Sequence, residues 1–167
     1  MKKYVKGMIL VCAAVVGLSG CSSAKNDTKH SGADTETAIE TEQTSGEVLL
    51  YLGNDNADGF VTETVALEAV TPEQIIAALA EKKVVSDEVK VLSFEDAGET
   101  LTLDLSKEYQ EYVSSYGTAG ELITVGGVVN TFLDAYDADT ITILVEGKSW
   151  DTGHAEFSGP LARYPMQ

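Results

Sequence analysis

The stretch VVNTFLDAYDADTITILVEGK, from Val128 to Lys148, sets four polar groups among apolar residues just ahead of a strand-like run. Asn130, Thr131, Asp134 and Asp137 bring an amide, a hydroxyl and two carboxylates close together in sequence, the kind of set that binds and polarises a substrate. A second set lies in Asn54-Asp55-Asn56-Ala57-Asp58-Gly59, where Asn54, Asn56, Asp58 and Gly59 match the opening of an EF-hand loop. The bidentate acid of such a loop belongs at its twelfth position, which here is Val65, and Glu63 falls two residues early. An acidic connection between two strands is the reading this leaves, with calcium binding by residues 54–59 left open. His154 is the one histidine beyond the linker, with Ser149 and Ser158 nearby in sequence. No G-x-S-x-G elbow presents a nucleophile to it, so a structural hydrogen-bonding role is expected there. Gly147-Lys148-Ser149 lacks the earlier glycine of a phosphate-binding loop and reads as a turn. A carboxylate pair for glycan cleavage cannot be singled out, because with 27 acids some pair always lies at a workable distance. Trp150 with Tyr109, Tyr112 and Tyr116 offers a surface for stacking on sugar or a partner, although aromatics are more often half-buried at a domain edge. No catalytic residue, metal ligand or cofactor is assigned.

Hydrophobic patterning supplies the elements that carry these groups. Val48–Leu52 is a short apolar run suited to a strand, and FVTETVALEAV alternates well enough for another. Thr71-Pro72-Glu73-Gln74 is a helix start: a cap, a proline at the first position and a glutamine to close a capping box. Ile75, Ile76, Leu79 and Ala80 give that helix an apolar side. Strands follow over Val89–Phe94 and Leu101–Leu105, joined by a tight turn at Asp96–Glu99, and Ser106 can cap a short helix through Tyr109 and Tyr112. In the second strand Leu101, Leu103 and Leu105 face the core, and Thr102 and Asp104 the wetter side. A longer helix begins near Ala119 with Leu122, Val125, Val129, Phe132, Leu133 and Tyr136 in one stripe. Gly126 and Gly127 cost it about 1 kcal/mol each relative to alanine, which points to a close neighbour there. Thr140–Glu146 is the last clear strand. The economical solution is an α/β (α+β) two-layer sandwich, a mixed sheet of about four to six strands with two main helices on one face. Within it Thr131 and Asp134 fall on or beside the solvent side of the helix. Asn130 hydrogen-bonds a loop backbone, and Asp137 and Asp139 make the turn into the next strand. The four polar residues of the opening stretch then form a structural joint.

Charge and the N-terminus say where the domain works. The chain has 167 residues, 27 Asp+Glu against 11 Lys+Arg, and a net charge of -16. Such a surface repels nucleic acid and anionic lipid headgroups alike. MKKYVKGMILVCAAVVGLSGC has a basic start, an apolar run over Met8–Leu18 that is short for a membrane span, and Leu18-Ser19-Gly20-Cys21. This ending resembles a bacterial lipobox, which implies removal of residues 1–20 and diacylglyceryl modification of Cys21, two acyl chains being enough for stable anchoring. With Cys12 in the leader, no cysteine remains for a disulfide beyond residue 21. Residues 21–46 are rich in Ser, Thr, Gly and charge, a composition expected to stay disordered. As a flexible coil they would hold the domain about 25–30 Å from the anchor.

Residues 47–167 then carry a series of signposts: Val89-Lys90-Val91-Leu92-Ser93, Leu101-Thr102-Leu103-Asp104-Leu105-Ser106, Val128-Val129-Asn130-Thr131-Phe132, Ile143-Leu144-Val145-Glu146-Gly147-Lys148, Gly153-His154 and Pro160-Leu161-Ala162-Arg163. In this order they resemble a GerMN domain, the module of bacterial sporulation and spore-germination lipoproteins. The resemblance implies a non-enzymatic module on the outer face of the cell membrane, similar in fold to small ring-building domains. Its expected partners are the membrane through the lipid anchor, and envelope proteins or further copies of the chain. The sporulation protein itself carries two such domains in tandem, and residues 47–167 have room for one. A cell-wall or carbohydrate-binding module using Trp150, and an enzyme acting on peptidoglycan through His154, are the alternatives from other classes.

Overall fold

The computed structural model describes residues 45–166, so Cys21, the leader and nearly all of the linker lie outside the described residues. Strands β1 (Gly46–Gly53) and β2 (Phe60–Leu67) form an antiparallel hairpin, in register from Gly46↔Leu67 to Gly53↔Phe60. Helix α1 (Pro72–Glu81) starts where the sequence indicated: Gln74 N donates to Thr71 Oγ1 at 3.3 Å. The Gln74 side chain reaches back to Ala69 N at 3.2 Å, beyond the cap residue that a capping box would engage. Strands β3 (Val91–Asp96) and β4 (Thr100–Leu105) pair antiparallel about a turn in which Gly98 has φ 88° and a bulge separates Val91 from Ser93.

Two helices follow, α2 (Lys107–Ser114) and α3 (Thr118–Ala135), and then β5 (Thr140–Val145), which pairs parallel with β4. The short strands β6 (Trp150–Asp151), β7 (Glu156–Phe157) and β8 (Leu161–Ala162) end the domain; β6 pairs with β7, and β8 pairs antiparallel with β5. The main sheet therefore runs β3-β4-β5-β8 and is mixed.

The class is the one expected, α+β with a mixed sheet. The differences are local. The β1–β2 ladder stands as its own two-stranded sheet, and β6, β7 and β8 are too short to show a hydrophobic period. Ser106 precedes α2 without capping it; its Oγ accepts from Lys90 N at 3.0 Å and ties the helix start to the approach to β3.

Alternation decides which face of the main sheet is covered. Leu101, Leu103, Leu105, Ile141, Ile143 and Val145 are buried, while Thr102, Asp104, Thr142 and Leu144 on the other face are part-exposed. Helix α3 packs on the buried face, and β1 lies along its far flank. Every residue of α3 from Thr124 to Leu133 is consequently buried, so the helix is covered all round and not only along the stripe seen in sequence. The paired glycines make that possible. A Cβ on Gly127 would stand 2.8 Å from the Tyr51 carbonyl oxygen, and one on Gly126 2.5 Å from Phe60 Cζ.

Candidate functional site

The polar residues of α3 face β1 and the C-terminal segment. Asn130 is fully buried; its Nδ2 donates to Tyr164 O at 3.0 Å, and its Oδ1 accepts from Tyr164 N at 2.8 Å. One amide side chain thus satisfies both backbone groups of a residue that continues past β8, as a neighbouring strand would. The loop-backbone bond expected of Asn130 is present, in double form. Thr131 departs from its expected place on the solvent side: it is fully buried, and its Oγ1 accepts from Tyr51 N at 3.1 Å. The reason is Gly127, one turn earlier, which lets β1 come close enough to cover that flank. Asp134 is exposed as expected and receives Arg163 Nη2 at 3.2 Å. Arg163 Nη1 donates to the Tyr51 hydroxyl at 3.0 Å, and the guanidinium carbon lies 5.7 Å from the centre of the Tyr51 ring. Asp137 takes φ 54° in the turn after α3, and Ala138 N donates to Leu133 O at 3.0 Å, closing the helix. The opening set is a joint, with Tyr51, Arg163 and Tyr164 as partners that the sequence reading did not supply. A signal for it exists: Gly127, Asn130, Thr131 and Asp134 stand at i, i+3, i+4 and i+7, a second stripe beside the apolar one.

The other candidates are placed apart from one another. His154 is exposed in the β6–β7 turn, where its backbone N–H donates to Thr152 Oγ1 at 3.3 Å. Among the described residues no hydroxyl or carboxylate is hydrogen-bonded to its ring. The Thr152 hydroxyl donates to Glu121 Oε2, which pins this turn to the first turn of α3. Burial and the nearby Glu121 carboxylate push the Tyr164 phenol above its ordinary value. Trp150 is buried, donates Nε1–H to Ile143 O at 3.0 Å, and sits between Tyr109 and Phe157, with ring centres 5.2 and 4.3 Å away. A stacking surface built on Trp150 and Tyr109 is therefore not available, since both belong to the core. The turn expected over Gly147–Ser149 comes one residue earlier, because β5 ends at Val145: Glu146 has φ 53°, Gly147 φ 73°, and Gly147 N donates to Asp104 Oδ1 at 2.9 Å.

The acidic loop between β1 and β2 bonds to itself. Asn54 Nδ2 donates to Asp58 Oδ1 at 2.8 Å, and Asp58 N donates to Asn54 Oδ1 at 3.2 Å. Glu63, the acid nearest the missing calcium ligand, is paired with Lys82. Among the described residues no group of three or more His, Cys, Asp or Glu is placed to hold a metal ion, and no helix is long and apolar enough to cross a membrane.

Of the four aromatics read as a possible surface, Tyr112 and Tyr116 lie beside a groove that the sequence patterns did not otherwise indicate. Where the β1–β2 loop, the end of α1 and the α2–α3 connection meet, a groove of about 540 Å³ opens, lined by Leu52, Val61, Lys82, Lys83, Tyr116 and Ile123 among others. Val61 is 51 % and Tyr116 41 % exposed, two of the four large hydrophobic side chains that stand out from the described residues. The groove is firmly framed. Lys83 N donates to Ala80 O at 2.9 Å and Val84 N to Leu79 O at 2.9 Å, a Schellman ending with Lys83 at φ 62°. The Lys83 carbonyl accepts from the Tyr112 hydroxyl at 2.9 Å, and the Tyr112 and Tyr116 rings meet edge to face at 5.1 Å.

Buried polar groups committed to internal bonds, with an open apolar groove beside them, complete the geometry of this α+β domain. The chain belongs to the Germane family of sporulation and spore germination, whose family model matches residues 49–151, and its domain is of the GerMN type. Its fold is similar to the tandem GerMN domains of the sporulation protein GerM from Bacillus subtilis, at 19 % identity and a TM-score of 0.51 over 78 % of this chain and 50 % of that one. The chain thus spans half the length of that tandem structure. A candidate lipoprotein from Clostridium perfringens aligns at 19 % identity and a TM-score of 0.43, over 71 % of this chain and 87 % of that one. The first GerMN domain of the same Bacillus subtilis protein aligns at 18 % identity and a TM-score of 0.45, over 61 % and 84 %. No curated protein matches by sequence.

Proposed function

We propose that the chain is a lipoprotein, anchored through Cys21 to the outer face of the cell membrane, whose single GerMN domain acts without catalysis by binding or assembling with other envelope proteins in sporulation or germination. The observation that carries this reading is the fate of the polar residues on α3. Asn130, Thr131 and Asp134, the set best suited to chemistry, are each bonded to another part of the fold. The lipobox-like Leu18–Cys21 and the family support the anchoring and the setting. The net charge of -16 favours a domain held away from anionic lipid, with the linker as spacer.

Two measurements test it. Cys21→Ala should move the protein from the membrane fraction to the soluble or secreted one and abolish incorporation of labelled fatty acid; retention of both would remove the anchor from the account. Hydrolysis of peptidoglycan by the purified chain, abolished by His154→Ala with unchanged melting, would replace the binding module with an enzyme.

A further inference from the structure

We infer that the outer edge of β2 pairs antiparallel with the same edge of a second copy of this chain, joining two β1–β2 hairpins into one four-stranded sheet. The inference rests on the reading that the domain works by assembly, and names a second copy as what it assembles with.

The direction of the backbone groups shows that this edge is open. Tyr51 N donates to Thr131 Oγ1 on α3, so the Tyr51 amide points away from β2. Tyr51 is paired with Thr62, and in an antiparallel ladder the partner of such a residue also turns its N–H and C=O outward. By alternation Thr64 and Ala66 do the same. Among the described residues no hydrogen bond reaches these outward groups, and Val61, Thr62, Glu63, Thr64 and Ala66 are all exposed. Other edges are blunted in the ways proteins use against unwanted pairing: cover, bulges, charge or shortness. The far side of β1 is closed against α3. The free edge of β3 has a bulge between Val91 and Ser93 and ends in the exposed Glu95 and Asp96. Strands β6, β7 and β8 are two residues each. β2 instead runs eight residues in unbroken register, with no proline, glycine or lysine, and its one acid, Glu63, is paired with Lys82.

The sequence of the edge says what fits it. Val61-Thr62-Glu63-Thr64-Val65 reads the same in both directions. A two-fold contact brings one patch against its own copy, so the patch must complement itself. With the axis at Glu63, two antiparallel β2 strands set valine opposite valine and threonine opposite threonine, both favourable cross-strand pairs. The outward backbone groups of Thr62 and Thr64 then bond those of Thr64 and Thr62 in the second copy. Val61, 51 % exposed in the single chain, is covered by the second copy's Val65. At the axis two glutamates meet, which is unfavourable when both are bare. Here each already carries Lys82, so the seam is locally neutral within a chain of net charge -16.

The test is disulfide trapping of the full chain in its membrane. Residues opposed at the axis have Cα atoms about 4.5 Å apart, inside the range of about 4.4–6.8 Å that a disulfide spans. Glu63→Cys should give a disulfide-linked dimer under mild oxidation, at least fivefold more of it than Glu95→Cys on the β3 edge. In the Glu63→Cys background, Thr64→Pro removes only an outward N–H and should cut the dimer at least fivefold while the domain stays folded. A charge exchange gives a second readout. Thr62→Lys with Thr64→Lys, or Thr62→Glu with Thr64→Glu, sets like charges opposite each other, so each double variant should lose the dimer alone and regain it when the two are co-expressed. The inference is overturned if Glu63→Cys links no better than Glu95→Cys, or if co-expression restores nothing. A photo-crosslinker at position 62, set against one at the exposed Leu92, separates the two levels in cells. Capture of a second copy at 62 supports the pairing. Capture of other proteins alone defeats it and leaves the binding function standing; capture at neither position defeats both.

Discussion

Helices α1 and α3 both end with a residue in the left-handed conformation and a backbone bond back across the last turn, from Val84 to Leu79 and from Ala138 to Leu133. Around α3 the polar side chains of the preceding turns are all engaged: Asn130 with Tyr164, Thr131 with Tyr51, Asp134 with Arg163. Around the end of α1, exposed apolar side chains and an unpaired lysine are left facing solvent. The same local device thus serves two purposes. What distinguishes them is whether the neighbouring polar groups are satisfied inside the fold. A polar residue buried and bonded on both sides contributes to stability, and its loss leaves partners stranded. One that is exposed and unpaired contributes little to the fold and is free to meet a ligand.

The sharpest way to break this comparison is at Gly127. Gly127→Val would drive a branched side chain into the Tyr51 carbonyl and Val84, and is expected to cost about 3 kcal/mol, read as a lower midpoint in urea. An unchanged midpoint would mean that β1 does not depend on close approach to α3. Asn130→Ala comes next. Stranding both backbone groups of Tyr164 should cost about 2.5 kcal/mol, and faster hydrogen exchange at the Tyr164 amide would locate the damage.

Alkaline pH acts on the core from another side. Burial, aided by the Glu73 and Asp96 carboxylates, pushes the Tyr136 phenol up to about 12 from 10.0. Burial also raises Tyr109, whose hydroxyl has no hydrogen-bond partner among the described residues. The stability from these phenols is fully present below pH 10.0 and is lost as pH climbs toward the folded-state value, because the unfolded chain ionises first. Melting temperature should be level to about pH 9.5 and fall above 10, and Tyr136→Phe should reduce the slope. The smallest effect is expected at Asp134. Its exposed pair with Arg163 is worth about 0.5 kcal/mol, so Asp134→Ala should shift the urea midpoint barely beyond error and less still in high salt.

Elements with a strong period or a local signal were legible in sequence. The α1 cap, the Gly98 turn, the alternation in β4 and β5 and the start of α3 all stand within two residues of where the patterns put them. Gly126 and Gly127 announced a close neighbour without naming it; β1 is that neighbour. What the sequence left hidden depends on long-range packing. Thr131 reads as solvent-facing because the apolar stripe alone defines the buried side, and only a strand laid on the far flank reverses that. The bond of Arg163 to Tyr51 joins residues 112 apart, a pairing that no local pattern encodes. The groove is likewise assembled from three connections whose polar composition reads as ordinary loop, and Lys83 is unusual only once its φ is known.

The division between a joint that holds the fold and a groove that does not is tested most directly by thermal melts of two variants side by side, Asn130→Ala and Lys83→Gly. Asn130→Ala should melt about 10 °C lower, whereas Lys83→Gly should melt at the same temperature or a few degrees higher, having lost a strained residue and no internal side-chain bond. A lower melting temperature for Lys83→Gly together with an unchanged one for Asn130→Ala would contradict the account.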